Sequence, residues 1–292
     1  MNTKIVKYGL VFALLFATGP AWRASDALSA QQRDSLEARL LIPGMPMQQA
    51  EAPPAPPPLR RSLIFPGLTV SSPAAFGAEG GTVYAGVGYQ ERTRYLQDDD
   101  GALFLGLGLG DAREYVALDV TLTSTSTWRT GLFNRVSLGV QVERELNPRT
   151  AIAVGAENLA MLKGETDSFR SFYGVLTRLF PLKSDPTEPF SLITATIGLG
   201  DGRFRFEEDV WDDRSTVNVF GAVSVHVVRP VALIADWTGQ DLALGASIAP
   251  FSSFPLVITP AFMDVTHNAG DGTRFVIAAG IGHRLRRGPI QF

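Results

Sequence analysis

The chain has 292 residues, is 45% hydrophobic and 19% charged, and carries a formal net charge of -3 with no cysteine. That length allows one large β domain or two ordinary ones, and a charge so near neutral argues against a nucleic-acid partner. Without cysteine there is no disulfide framework, Cys-ligated zinc site, thiol nucleophile or lipidated cysteine, and His226, His267 and His283 are too few for His-rich metal chemistry, so neither metal nor cofactor is expected.

The N-terminus, "MNTKIVKYGLVFALLFATGPAWRASDA", opens with Lys4 and Lys7 and continues in an apolar run from Tyr8 to Ala17. Small residues at Ser25 and Ala27, or at Gly19 and Ala21, fit a cleavage site, so residues 1–27 are expected to be a signal peptide of an exported protein. No later segment offers the ~20 consecutive apolar residues of a transmembrane helix. From Leu28 to Ile42 a short amphipathic helix is expected, followed by "PGMPMQQAEAPPAPPPLRR", which reads as an extended polyproline linker. Residues 28–72 are thus a periplasmic segment, either docking a periplasmic partner or acting as a solvated spacer.

After Gly80 the pattern changes to period-two alternation broken by Gly, Asp, Asn and Pro. "TVYAGVGYQ" sets Val83, Ala85, Val87 and Tyr89 against Tyr84, Gly86, Gly88 and Gln90. "ALFLGLGLG" sets Leu103, Leu105, Leu107 and Leu109 against Phe104, Gly106 and Gly108. "YVALDVTLT" and "RVSLGVQVERE" continue the pattern, which recurs near 150–158, 171–180, 190–199, 217–228, 231–237, 241–249, 254–264 and 274–285. About twelve strands are expected. Short connections ("DARE", "NPRT", "RP", "FSSF") alternate with long ones such as "ERTRYLQDDDG" and "DGRFRFEEDVWDDRST". This is the rhythm of an all-β, antiparallel, up-and-down transmembrane barrel over residues 73–292, with both termini in the periplasm.

A soluble β-sandwich also alternates, but its outer face would carry Lys, Glu and Thr. Beyond the linker the only lysines, Lys163 and Lys183, lie in connections, and the face opposite the apolar one is rich in Gly, Ala and Ser. The chain ends in Phe292, a terminal aromatic of the kind that hands a barrel to the outer-membrane insertion machinery, although Arg287, Gly288 and Pro289 break the alternation just before it. Outer-membrane lipid is therefore the expected surrounding.

The segments "SSPAAFGAEGGTVYAGVGYQERTRY", "VNVFGAVSV" and "ADWTGQDLALGASIAPFSSFPLVITPAFMDVT…AGDGTRFVIAAGIG" resemble a family of uncharacterised cyanobacterial outer-membrane β-barrel proteins. The resemblance runs from about Ser71 to Leu285 and implies a fold and a location, but no activity. The "ADWTGQDLALG" hairpin is weakly similar to those of YjbH-type exopolysaccharide-associated barrels, which are typically lipoproteins.

With the apolar faces outward, the polar residues expected to line the lumen are Asp119, Arg135, Gln141, Glu143, Glu157, Arg178, Asn218, His226, Asp236, Asp241 and Arg284. Opposite charges placed so can plug a lumen by pairing or give a narrow channel a transverse field. The interior glycines fit either open space or relief of crowding. The leading expectation is a narrow passive pore for small polar solutes or ions, and the alternative is a non-conducting accessory barrel in surface polysaccharide export or envelope organisation. No enzyme is expected. His226 shares its strand face with Ser224 at a separation too great for a direct hydrogen bond, and His283 has the lipid-facing parity. Loop carboxylates at Asp98–Asp100, Glu207–Asp209 and Asp212–Asp213 match no cation-loop spacing.

In "ADWTGQDLALG", pairing Ala235 with Leu242 keeps the apolar residues together and sets Asp236 across from Asp241, with Cβ atoms about 5 Å apart. Two such carboxylates require a cation, an arginine such as Arg274, or one shared proton. The other reading is that Asp236 caps the Thr238-Gly239 turn.

Overall fold

The computed structural model describes residues 66–78, 80–165 and 168–285. The expected signal peptide, the helix from Leu28, most of the Pro-rich segment and Phe292 lie outside the described residues. Twelve strands form a closed antiparallel barrel in which each strand pairs with its neighbours in the chain. They are β1 (Thr82–Gln90), β2 (Asp100–Gly110), β3 (Ala117–Ser124) and β4 (Val136–Asn147). Then come β5 (Thr150–Lys163), β6 (Ser171–Pro181), β7 (Leu192–Gly200) and β8 (Asn218–Val228). The set ends with β9 (Val231–Trp237), β10 (Leu242–Ile248), β11 (Leu256–Met263) and β12 (Arg274–Arg284). Closure runs from Thr82 opposite Arg284 to Gln90 opposite Val276, so the sheet has no free edge.

The alternation sets the faces. Leu105, Leu107, Leu122, Val142, Phe172, Leu199, Val223, Leu244 and Phe262 all point outward and stay exposed, and Ile197 and Leu233 are 59% and 53% exposed. Such a continuous apolar belt is a liability in water and a match for hydrocarbon. Among the described residues no helix is long and apolar enough to cross a membrane, a statement that concerns helices alone.

One end of the barrel carries the β4–β5 and β8–β9 turns together with the start of β1 and the end of β12. We call it the turn end. The β6–β7 connection there (182–191) is longer than the alternating rhythm suggests, and Asp185 organises it by accepting the N–H and hydroxyl of Thr187. The opposite, loop end holds a short helix α1 (Thr127–Thr130), a 3₁₀ turn (Gly202–Phe204) and a helix α2 (Glu207–Trp211). β5 runs past the expected 158 to Lys163. Between the Leu138–Ala160 and Val140–Ala156 pairs, β5 holds two residues more than β4, and Asn158 takes a left-handed conformation (φ 50°) there. Ser137 and Asn158 close this bulge with a 2.7 Å hydrogen bond.

The interior is packed. Ala75, Ala151, Ala153, Val175, Phe204 and Phe220 form a buried cluster flanked by Phe76 and Tyr173, with the Phe204 and Phe220 rings stacked at 4.3 Å. The lumenal glycines divide between the two readings. A methyl group at Gly106 would fall inside the Tyr84 ring, and one at Gly86 inside the Phe104 ring, so those glycines are seats for aromatic rings. Gly88 and Gly282, whose nearest neighbours would be 4.0 and 3.8 Å from such a methyl, face roomier space.

Candidate functional site

The site is the lumen, and a segment of the chain itself occupies it. Residues 66–78, "PGLTVSSPAAFGA", precede β1 and form an irregular strap inside the barrel. Pro66 and Pro73 lack an N–H and so cannot join a strand ladder, while the many small residues let the chain lie close to the wall. The strap is bound to wall side chains. At its start, the Gly67 N–H donates to Ser247 Oγ of β10 at 2.6 Å. Further along, Asp236 of β9 receives three consecutive backbone donors: the N–H groups of Val70, Ser71 and Ser72 reach its Oδ2 at 2.8, 2.8 and 3.0 Å. The Ser72 hydroxyl donates to the other oxygen at 2.5 Å.

From there the strap crosses to the other side of the barrel. The Ala75 N–H donates to Thr177 Oγ1 of β6 at 2.9 Å, the Gly77 N–H donates to Glu143 of β4, and the Ala78 N–H reaches Asp119 Oδ2 of β3 at 3.1 Å. Gln141 donates to the Ala74 carbonyl at 3.2 Å and accepts from Tyr173 at 2.8 Å. The strap then meets β1 at the turn end, where Gly80 and Gly81 donate to Gly110 and Gly108. Gly67 lies against Ser247, next to the last residue of β10, so the strap enters and leaves at the same end. Residues 66–72, expected to finish the linker, lie inside the barrel.

The loop end is covered by the chain between β7 and β8. Arg203 pairs with Glu157 of β5, donates to Ser71 Oγ at 3.2 Å and to the Ser71 carbonyl at 2.8 Å, and lies 4.4 Å over the Phe204 ring. Phe204 is fully buried beneath it. Gly239 (φ 97°) sits so close to the Phe204 backbone that a side chain there would collide with it. Glu207 accepts the Gly270 N–H at 2.9 Å and ties this cover to the β11–β12 connection, where Arg92 pairs with Asp271 at 2.5 Å. That contact holds the Asp271 carboxyl below the usual range, through the Arg92 hydrogen bond first.

The expected lumenal residues fall into four groups. Asp119, Gln141, Glu143 and Asp236 face inward and hold the strap. Glu157, Asn218, His226 and Asp241 also face inward: Glu157 binds Arg203, Asn218 stands opposite Gly200, and His226 is buried opposite Ala232 near the turn end. Arg135 and Arg284 lie at the rims, Arg135 in the loop before β4 with Nη1 3.5 Å from Ser126 Oγ, and Arg284 exposed opposite Thr82. Arg178 is a correction. It points outward, exposed, with its guanidinium 5.4 Å over the Phe180 ring. Both faces of "SFYGVLTRLFP" are apolar, so alternation could not choose between them. Tyr173, Val175 and Leu179 went inward, the first two to meet the lumenal cluster.

The Asp236–Asp241 hairpin is also corrected in register. Asp236 stands opposite Ala243, and Leu244 opposite Ala235. Asp241 lies outside the ladder in the turn, where it and Thr238 cap each other: Thr238 Oγ1 donates to Asp241 Oδ1 at 2.9 Å. The two aspartates never face one another. Asp241 is neutralised by Arg94 at 3.3 Å and Arg274 at 3.6 Å, the arginine among the three expected solutions, whereas Asp236 is satisfied by hydrogen bonds from the strap.

Alternation could not reveal Ser247, Thr177, Ser72, Arg203 or Phe204 as members of the site. One physical signal was present. Asp119, Glu143 and Asp236 were expected in a low-dielectric lumen, and carboxylates there need donors. Along β1, β2, β11 and β12 a cavity of about 260 Å³ remains, lined by Tyr84, Phe104, Pro255, Val257, Thr259 and Gly282. Among the described residues no group of three or more His, Asp or Glu is placed to hold a metal ion. No known family model matches the sequence, and no curated protein does.

Proposed function

We propose that the protein is an outer-membrane β-barrel kept closed by its own strap, serving as a non-conducting accessory component of envelope organisation or surface polysaccharide export. The observation that carries this reading is the set of hydrogen bonds from residues 67–78 to wall side chains of β3, β4, β6, β9 and β10. In this reading the apolar belt lies in lipid, the turn end faces the periplasm, and the Pro-rich residues upstream of Pro66 dock a periplasmic partner. A signal peptide, handover to the insertion machinery through Phe292 and the cyanobacterial family resemblance belong to the same proposal. It involves no catalytic step.

The narrow pore for small polar solutes or ions remains as a second reading, favoured by the cavity along β1, β2, β11 and β12. The strap is bound through side chains and is not a strand of the barrel, so its withdrawal would leave every strand pair intact. Planar-bilayer recording of the refolded full chain separates the two. A closed barrel gives no steady conductance, whereas steps in the wild-type protein at modest voltage would favour the pore.

A further inference from the structure

Arg178 faces outward, and its neighbourhood gives that placement a purpose. On β4, Val142, Arg144 and Leu146 point outward, and Arg144 stands opposite Ile152 of β5, which in turn stands opposite Leu176 of β6. Arg178 lies two residues beyond Leu176 toward the turn end. Strand spacing and rise put the Arg144 and Arg178 Cα atoms about 12 Å apart, close enough for two arginine side chains to meet over one anion. Arg149, in the β4–β5 turn, is held beside them by the hydrogen bond from the Leu179 N–H to its carbonyl at 2.7 Å.

These three arginines differ from six at the loop end. There Arg92, Arg94, Arg129, Arg203, Arg214 and Arg274 all have a carboxylate within 4 Å. Among the described residues, Arg144, Arg149 and Arg178 have none. The nearby turn-end carboxylate Glu145 points inward and pairs with Arg113. Arg144 donates instead to the carbonyls of Glu114 and Tyr115 in the β2–β3 connection. Around the trio stand exposed Tyr115, Leu146, Leu176 and Phe180, the edge of the apolar belt. Unpaired guanidinium groups beside aromatic and aliphatic side chains, at the level where hydrocarbon ends, suit a phosphodiester with acyl chains attached.

We infer that Arg144, Arg149 and Arg178 form a binding site for the headgroup of an anionic phospholipid in the leaflet at the turn end. The guanidinium groups take the phosphate, while Phe180, Leu146 and Leu176 take the first carbons of the chains. This inference rests on the membrane reading above.

The test uses the refolded full chain and the Arg149→Gln/Arg178→Gln double variant, which leaves Arg144 on its carbonyls. Both are reconstituted in phosphatidylcholine vesicles with increasing phosphatidylglycerol, and bound lipid is read by native mass spectrometry after release into zwitterionic micelles. The wild type should retain phosphatidylglycerol in preference to phosphatidylcholine, and the double variant should bind it about 30-fold more weakly. An Arg129→Gln/Arg214→Gln control at the loop end should match the wild type. Equal retention by wild type and double variant, or no preference for the anionic lipid, overturns the site. Failure of the wild type to insert into either kind of vesicle would instead sink the membrane reading. Heat-modified electrophoretic mobility confirms that each variant is a folded barrel.

Discussion

Replacing Asp236 by alanine should free the strap while leaving the barrel standing. The Asp236 side chain is fully buried and accepts three backbone N–H groups and one hydroxyl from residues 70–72. Hydrogen bonds to a charged acceptor contribute about 1.5–3 kcal/mol each, but the Val70 and Ser71 donors are only part-buried and can turn to water. A net loss of about 4 kcal/mol in strap docking follows, roughly a thousandfold in the opening equilibrium. Asp236→Asn keeps one acceptor oxygen without the charge and should cost about half as much, roughly 30-fold. The backbone at 236 keeps its pairing with Ala222 and Ala243, so the ladder is untouched. Hydrogen–deuterium exchange of the folded protein reads this directly. Peptides covering 66–78 should lose protection in the order wild type, Asn, Ala, while those of β8 to β10 should not change. Equal protection of 66–78 in all three proteins would refute the assignment of Asp236 as the principal anchor.

Two further outcomes follow from the interior and the loops. Gly106→Ala should displace the Tyr84 ring, breaking its 2.7 Å hydrogen bond to Asp119, and lower stability by about 1–3 kcal/mol in denaturant titrations, whereas Gly88→Ala, in roomier space, should change stability far less. The depressed Asp271 pKa means that its contact with Arg92 stabilises the β11–β12 connection above the ordinary aspartate range. That contribution fades as the pH falls below about 3.9 and through the lower folded value. Exchange in residues 264–273 should therefore be faster in Asp271→Asn than in wild type at neutral pH, and the two should converge in acid.

Much of the barrel was legible because period-two alternation is a consequence of an exposed apolar outer face backed by a packed interior. β1 was located to the residue, and β9 likewise, since Val231, Leu233 and Ala235 oppose Ala232, Ile234 and Asp236 without ambiguity. Alternation loses its force where both faces are apolar, which is why Arg178 was expected inward. It also says nothing about register when two settings both bury the apolar set. Pairing Ala235 with Leu242 or with Leu244 satisfies the pattern equally, and the Thr238–Asp241 cap decides for the second. The strap was not legible at all. "PGLTVSSPAAFGA" has neither period, and its place is set by long-range bonds to six inward side chains scattered from Asp119 to Ser247.

Closure of the barrel depends above all on the strap lying in the lumen. Gly67 and Ser247 offer the most direct test, because the chain contains no cysteine to interfere. A Cβ built on Gly67 lies 3.7 Å from Ser247 Cβ, within the range of a relaxed disulfide. The Gly67→Cys/Ser247→Cys variant, folded and exposed to mild oxidant, should form an intramolecular bond that closes a covalent loop and shifts denatured electrophoretic mobility until reductant is added. If both thiols instead remain free and react with a bulky maleimide on the folded barrel, the strap is not where the account places it, and the closed lumen falls with it.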